Sequence, residues 1–336
     1  MHAPDDQPRS AAGAPERPSR WRRPVRLATA LLAIYLAYAA MLFFVQGSLI
    51  FPRHHANARL AAQALKEPTP HPGRSTLWHS APDGARVEAW FYVGRGRSAD
   101  SPGPLIVCLH GNADLIDFWH PLAAAWQAKG FNVLLPEYRG YGRSTGTPTQ
   151  HDLTNDTHAL LTLALARPEV DQARLVYHGR SLGGGVAAQL ALRHEPAALI
   201  LDCTFASIAD FAARYAVPRF LVRHPFRTDL VLTSIQSRVF LAHGTRDRIV
   251  PFWHSQRLKD LRPDATLIEL DCDHLDFPGD QGERARYVQA RDQFLRDAGL
   301  WPNSPTPNPT PNSSNSSNSP TSPTSPASPA SPASRP

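Results

Sequence analysis

The sequence predicts an α/β protein: a mostly parallel central sheet with helices on both faces, preceded by one transmembrane helix. Two observations support this prediction. Residues 27–51 are apolar and carry no charge. From residue 105 onward, short apolar runs alternate with longer amphipathic stretches. Strands alternating with helices are typical of a parallel sheet that helices cover on both sides.

The two ends of the chain differ in composition from its middle. Residues 1–26 are rich in Pro, Arg and Ala, and we predict that they are disordered. Residues 301–336 consist largely of Pro, Ser, Thr and Asn, which cannot bury a core and predict a flexible tail. Residues 52–300 remain for one folded domain, a usual length for a single α/β unit.

Charge and cysteine content exclude several classes of function. The formal net charge is +6, but six arginines precede Leu27 against three acidic residues, so the middle of the chain is close to neutral. We therefore expect no nucleic-acid partner. Cys108, Cys203 and Cys272 follow or lie in apolar runs without the spacing of a metal site or disulfide framework, so we predict no metal. The oligomeric state is not encoded in any pattern.

Residues 27–51 are long enough to span a bilayer, which takes about 20 apolar residues. The alternative is a cleaved signal peptide, because Ala37-Tyr38-Ala39 resembles a small-x-small cleavage site. The apolar run continues through Val45, which favours a retained anchor. Arginines are concentrated before the span, which predicts a single-pass protein with a cytoplasmic N-terminus and the domain on the far side, periplasmic in a bacterium.

The domain opens with a predicted β-hairpin and continues as strand–helix units. Alternating runs at 75–80 and 86–93 flank Pro82-Asp83-Gly84, a turn signal. Five strand–helix pairs are predicted, at 105–109 with 115–129, 131–135 with 152–166, 174–177 with 182–194, 239–242 with 253–261, and 266–270 with 283–298. A further strand at 198–201 precedes an irregular insert at 205–233. In such sheets ligands bind outside the carboxyl ends of the strands.

A candidate nucleophile follows the strand predicted at 174–177. Gly179-Arg180-Ser181-Leu182-Gly183 is a G-x-S-x-G pattern between a predicted strand and a helix. On such a tight turn the serine hydroxyl is lifted clear of the backbone, and the glycines avoid clashes that side chains would make. We predict Ser181 as the nucleophile and the N–H of Leu182 as one oxyanion donor.

A serine nucleophile needs a base, and the base needs an acid that fixes its tautomer. Asp247 and His274 follow the last two predicted strands, in the expected order after the serine. Asp247 could instead be a turn-forming residue and His274 a surface histidine, and Asp202 is a rival acid.

A second oxyanion donor is expected from the loop after the strand at 105–109. That loop reads His110-Gly111-Asn112-Ala113. The donor is the N–H of Asn112 or of Ala113, and we assign Asn112. We interpret His110 as a structural residue that shapes this loop.

Five motifs in order resemble the α/β-hydrolase superfamily, and within it the membrane-anchored α/β-hydrolase-domain branch of serine hydrolases. They are HGN at 110–112, EYRGYGRS at 137–144, GRSLGGG at 179–185, LDCTFAS at 201–207 and HGTRDRIVP at 243–251. The resemblance covers residues 45–298. It implies the α/β-hydrolase fold, a triad of Ser181, Asp247 and His274, no metal or organic cofactor, and activity on acyl esters or thioesters. One departure is Cys272-Asp273, where many relatives carry small residues before the histidine.

The predicted reaction is ester or thioester hydrolysis through an acyl-enzyme intermediate. A serine peptidase or amidase of the same fold would share the whole triad, and a non-catalytic binding protein is the other alternative. The latter would typically have lost the serine, the histidine or the elbow glycines, which are all present here.

The insert at 205–233 is predicted to act as a lid over the site. It mixes apolar residues with cations, namely Phe211, Tyr215, Phe220, Leu221 and Phe226 with Arg214, Arg219, Arg223 and Arg227. This mixture favours a lid on a lipid surface and an acyl-lipid or lysophospholipid substrate. The alternative is that the aromatic rings face the core and the arginines form a solvated face.

Overall fold

The computed structural model describes residues 22–62 and 70–303. Of the segments predicted to be disordered, at 1–26 and 301–336, residues 1–21 and 304–336 lie outside the described residues. The helices are α1 (Arg22–Ile50), α2 (Arg53–Ala62), α3 (Ile116–Ala128), α4 (Gln150–Leu165), α5 (Leu182–Ala191), α6 (Thr228–Leu232), α7 (Trp253–Leu261) and α8 (Gln281–Asp297). The strands are β1 (Arg74–Ser80), β2 (Arg86–Tyr92), β3 (Gly103–Leu109), β4 (Asn132–Pro136), β5 (Val170–Arg180), β6 (Ala198–Asp202), β7 (Arg238–Gly244) and β8 (Thr266–Leu270).

The described strands form one sheet in the order β1-β2-β4-β3-β5-β6-β7-β8. β2 pairs antiparallel with β1 and with β4, and every later pairing is parallel. β3, β4 and β6 are buried along their whole length. Successive side chains of β5 enter different cores, since Leu175 and Tyr177 belong to one apolar cluster and Val176 to the other. The predicted parallel sheet with helices on both faces is confirmed.

Three elements differ from the sequence-based prediction. β5 starts at Val170 rather than 174, because its first half is polar and partly exposed and lacks the apolar signal. α1 starts at Arg22, so residues 22–26 are helical rather than disordered. α2 was not predicted. At the other end, Trp301 packs its ring 5.7 Å from that of Phe131, which joins the start of the predicted tail to the domain.

α1 is long and apolar enough to cross a membrane. The mean hydropathy of its most apolar window reaches 2.2, and only 6% of that window is buried. Leu36, Met41 and Phe44 are among its exposed side chains. By length and composition α1 suits either a membrane anchor or a signal sequence.

The insert at 205–233, called the lid below, follows β6. It contains two 3₁₀ helices, Ile208–Tyr215 and Arg219–Leu221, and then α6. Its aromatic residues divide between the two predicted roles. Phe226 is fully buried, whereas Phe220 is 84% exposed and Tyr215 49% exposed.

Candidate active site

Ser181 lies on the sharp turn between β5 and α5. Its φ is 52°, in the left-handed region, where a non-glycine residue costs about 1–3 kcal/mol. Surrounding groups hold this conformation: the N–H of Ser181 donates to the carbonyl of Asp202 at 2.8 Å, and the hydroxyl of Thr204 donates to the carbonyl of Ser181 at 2.8 Å. The serine of the G-x-S-x-G pattern therefore occupies the strained strand-to-helix turn that the pattern predicts.

The glycines on either side of Ser181 are required by close backbone contacts. A Cβ on Gly183 would lie 2.0 Å from the carbonyl oxygen of Leu109. A Cβ on Gly179 would lie 2.3 Å from the carbonyl oxygen of Gly183. Since those contacts are with backbone atoms, a side chain at either position would displace the turn from the sheet.

The structure brings Ser181, His274 and Asp247 together at the carboxyl ends of β5, β8 and β7. Nε2 of His274 lies 3.1 Å from Oγ of Ser181, and its Nδ1 lies 2.6 Å from Oδ2 of Asp247. A carboxylate only accepts hydrogen bonds, so Nδ1 carries the proton and Nε2 is left to accept from the serine hydroxyl.

Asp247 is buried and held in its charged form. Its Oδ1 accepts the backbone N–H groups of Ile249 at 2.9 Å and Val250 at 2.8 Å. Burial alone would raise the pKa of Asp247, but hydrogen bonds from His243 and His274 and from the backbone outweigh burial and lower that pKa well below its usual range. The carboxylate is therefore a permanent negative charge beside the imidazole.

The two residues assigned to the oxyanion site border the same cavity as Ser181. Leu182 is the first residue of α5, so its N–H has no acceptor within the helix, and it donates to no other described group. Asn112 also lines this cavity, whereas Ala113 does not. The loop position of Asn112 is fixed through its carbonyl, which accepts the hydroxyl of Tyr141 at 2.8 Å.

The rival acid lies in a different network. Oδ2 of Asp202 accepts the hydroxyl of Tyr287 at 2.6 Å and bonds to Nε2 of His178 at 2.7 Å, all within the buried interior. His110 likewise bonds within the core, to the carboxylate of Glu137 at 2.8 Å. Burial alone would lower the pKa of His110, but that carboxylate raises it above its usual value.

Three further residues support the site and were not singled out from the sequence. Thr204 anchors the serine turn as described above. Nη2 of Arg180 donates to the carbonyl of His274 at 2.7 Å, which ties the histidine loop to the serine turn. Nε2 of His243 lies 3.3 Å from Oδ2 of Asp247. Arg180 occupies a variable position of the motif and therefore carries no sequence signal.

The thiol of Cys203 lies beside Asp247 and His274, with one possible ligand atom of each within 4.8 Å of the others. Metal binding would require the thiolate, and burial raises the pKa of this thiol well above its usual value. The same imidazole and carboxylate atoms are also engaged with each other, so we assign no metal site here.

A cavity of about 500 Å³ opens beside Ser181. Its walls come from the lid, from the loop after Asp247 and from α1. Apolar side chains predominate, with Arg214 and Arg248 at the exposed edge. A volume of this size suits a small organic ligand.

Comparisons with known proteins agree with this architecture. A family profile described as alpha/beta hydrolase fold matches residues 104–231. The uncharacterized protein YfhR of Escherichia coli K12 is 32% identical over 210 residues, which cover 60% of this chain and 74% of YfhR. The alpha/beta hydrolase domain-containing protein WAV2 of Arabidopsis thaliana is 31% identical over 221 residues, covering 60% of this chain and 70% of WAV2.

Solved structures show the same fold at low sequence identity. Native esterase 2 from Thermogutta terrifontis aligns with a TM-score of 0.58 and 17% identity, covering 72% of this chain and 98% of that one. A Pyrococcus furiosus esterase aligns with a TM-score of 0.54 and 21% identity, covering 68% and 90%. These structures show the shared fold, and the similarity to WAV2 together with the matching family profile establishes that the chain belongs to the α/β-hydrolase superfamily.

Proposed function

We propose that this protein is a serine hydrolase that cleaves acyl esters or thioesters, with Ser181 as nucleophile, His274 as base and Asp247 as orienting acid. One observation carries the proposal. A chain of hydrogen-bond distances, 3.1 Å and then 2.6 Å, runs from the Ser181 hydroxyl through His274 to the Asp247 carboxylate, and the hydroxyl borders a largely apolar cavity.

In the proposed mechanism, Nε2 of His274 takes the proton of Ser181 as Oγ attacks the acyl carbonyl. The N–H groups of Leu182 and Asn112 stabilise the negative oxygen of the tetrahedral intermediate. The imidazolium, stabilised by Asp247, then gives its proton to the departing alcohol or thiol. His274 then takes a proton from a water molecule as that water attacks the acyl-enzyme. The imidazolium gives this proton to Oγ of Ser181, which releases the acid and restores the hydroxyl.

Labelling with a fluorophosphonate probe tests the nucleophile directly. The expected result is a covalent adduct on the peptide that contains Ser181, which Asp247 and His274 activate. A Thermogutta terrifontis esterase that shares the fold has been obtained phosphorylated by paraoxon, which supports the choice of probe. An adduct confined to another serine would overturn the assignment. Matched ester, thioester and amide substrates then separate the proposed activity from that of a peptidase.

We further propose that the natural substrate is an acyl lipid with an anionic group, such as a lysophospholipid. Among the lid arginines, Arg219 and Arg227 are paired with the carboxylates of Asp210 and Asp229. Arg214 and Arg248 border the cavity, and the structure gives neither of them a carboxylate partner among the described residues.

Replacing both Arg214 and Arg248 by Gln is therefore expected to lower kcat/KM for a lysophospholipid with net negative charge by roughly threefold to tenfold relative to a neutral monoacylglycerol. The effect is modest because both guanidinium groups are exposed and screened by solvent. Arg219→Gln, outside the cavity, is the control. An unchanged ratio for the double variant would remove the anionic-substrate proposal.

For the membrane, we propose that α1 remains as a single-pass anchor with the N-terminus in the cytoplasm. Ala39, the last residue of the small-x-small triplet, is 7% exposed and lines the cavity, so its small size has a packing reason. We expect the mature protein to keep residues 27–51 by mass spectrometry. Alkaline phosphatase fused after residue 303 should be active in a bacterial host, because its disulfides form outside the cytoplasm. Cleavage after Ala39 or an inactive reporter would contradict this topology.

A further inference from the structure

α1 is bound along one side to the lid by hydrogen bonds. The hydroxyls of Tyr35 and Tyr38 donate to the carbonyls of Ala216 at 3.1 Å and Tyr215 at 2.9 Å. These carbonyls lie at the end of a 3₁₀ helix, where no helical N–H remains to satisfy them.

Gln46 forms a second attachment further along α1. Its side-chain N–H donates to the carbonyl of Leu221 at 3.0 Å, and its side-chain oxygen accepts the N–H of Arg223 at 2.7 Å. Both polar ends of the Gln46 side-chain amide are therefore hydrogen-bonded to the backbone of the lid. Since Tyr35, Tyr38 and Gln46 recur at helical spacing, these attachments to the lid come from the same side of α1.

The same side of α1 forms a wall of the cavity that contains Ser181. Six of its residues line that cavity, namely Ala39, Leu42, Phe43, Gln46, Leu49 and Ile50. All but Gln46 are apolar, so the wall that α1 contributes to this cavity is mainly hydrocarbon. The other side of α1 points away, with Met41 53% exposed and Phe44 77% exposed.

We infer that the membrane helix α1 is itself part of the acyl-binding site, and that Leu42 and Phe43 determine which acyl chain lengths are accepted. The inference rests on the proposed function, since it places the acyl chain of the ester attacked by Ser181 between α1 and the lid. An acyl chain is the occupant that matches this space, because an apolar wall offers no partner to a polar leaving group.

The test uses the full chain in detergent or lipid nanodiscs and a series of esters from acetyl to palmitoyl. Leu42→Trp fills the cavity and is expected to lower kcat/KM for palmitoyl and lauroyl esters at least tenfold, while the acetyl ester changes less than twofold. Met41→Trp, one residue along and on the outer side of α1, is the matched control and should leave the whole series unchanged. Phe43→Ala enlarges the cavity and should shift the preference toward longer chains.

The outcomes separate this inference from the proposed function. Hydrolysis of the acetyl ester and labelling of Ser181 in the unmodified protein test the hydrolase itself. An unchanged chain-length profile in both Leu42→Trp and Phe43→Ala would overturn the inference that α1 lines the acyl-binding site. It would leave the proposed hydrolase activity intact. A palmitoyl probe with a photoreactive diazirine at the chain end gives a reading independent of turnover. Cross-links within residues 39–50 are expected, and cross-links elsewhere only would also overturn the inference.

Discussion

Ser181→Ala is expected to lower kcat by about 10⁵- to 10⁶-fold and to abolish fluorophosphonate labelling, because the reaction then lacks its nucleophile. A residual acceleration of about 10³-fold over water should persist, since the Leu182 and Asn112 donors and the cavity remain. The fold should be retained, because the contacts that hold the turn are made by the backbone of residue 181 and not by its hydroxyl.

Ester hydrolysis and thermal melting of the purified variant check this result. Ser98→Ala, on an exposed loop outside the cavity, is the control and should match the unmodified protein in both measurements. A Ser181→Ala protein that keeps more than about one hundredth of kcat would show that the nucleophile lies elsewhere, since loss of a true nucleophile costs far more.

Asp247→Asn is expected to lower kcat by about 10⁴-fold with little change in fold. The amide oxygen of Asn can still accept the N–H groups of Ile249 and Val250, so the loop after β7 is preserved. Its NH₂ group, however, would face Nδ1 of His274 and donate a hydrogen bond to it. Nδ1 can accept that bond only if the imidazole proton moves from Nδ1 to Nε2. An imidazole protonated on Nε2 cannot accept the proton of Ser181.

Asp202→Asn is the matched comparison, because Asp202 is a buried aspartate at the end of the neighbouring strand β6. We expect it to lower the free energy of unfolding by about 1–3 kcal/mol, since it weakens the bonds to His178 and Tyr287. Its kcat should stay within a few fold of the unmodified protein. If the two variants exchanged these effects, Asp202 would be the orienting acid.

The parallel sheet could be predicted because its central strands are buried on both faces and leave continuous apolar runs in the sequence. The nucleophile position could be predicted because a serine on a tight turn needs glycines beside it. At Gly179 and Gly183 any side chain would collide with backbone atoms. Partners from distant segments could not be predicted in the same way. The hydrogen bonds from Arg180 to the carbonyl of His274 and from the Tyr287 hydroxyl to Asp202 depend on tertiary proximity alone.

The contact between α1 and the lid could not be predicted for a different reason. The central part of α1 is apolar on nearly every side, so hydrophobic periodicity does not distinguish the side that faces the lid from the opposite side. Among its polar residues, Tyr35, Tyr38 and Gln46 donate hydrogen bonds to the lid, and they mark the side of α1 that faces it. The roles of the lid arginines could not be predicted from the sequence either. Only the structure shows that Arg219 is paired with a carboxylate and that Arg214 lies at the cavity edge.

The first turn of α5 contains three consecutive glycines and therefore carries almost no side chains of its own. A Cβ on Gly184 would lie 2.4 Å from the hydroxyl of Thr204, and one on Gly185 2.8 Å from the ring of Phe205, in addition to the contact at Gly183. These glycines have no side-chain rotamers of their own to change when charge develops on the substrate oxygen. In the proposed mechanism the N–H of Leu182 is therefore held in place before the reaction begins, and the reorganisation energy that a solvent shell would require is avoided.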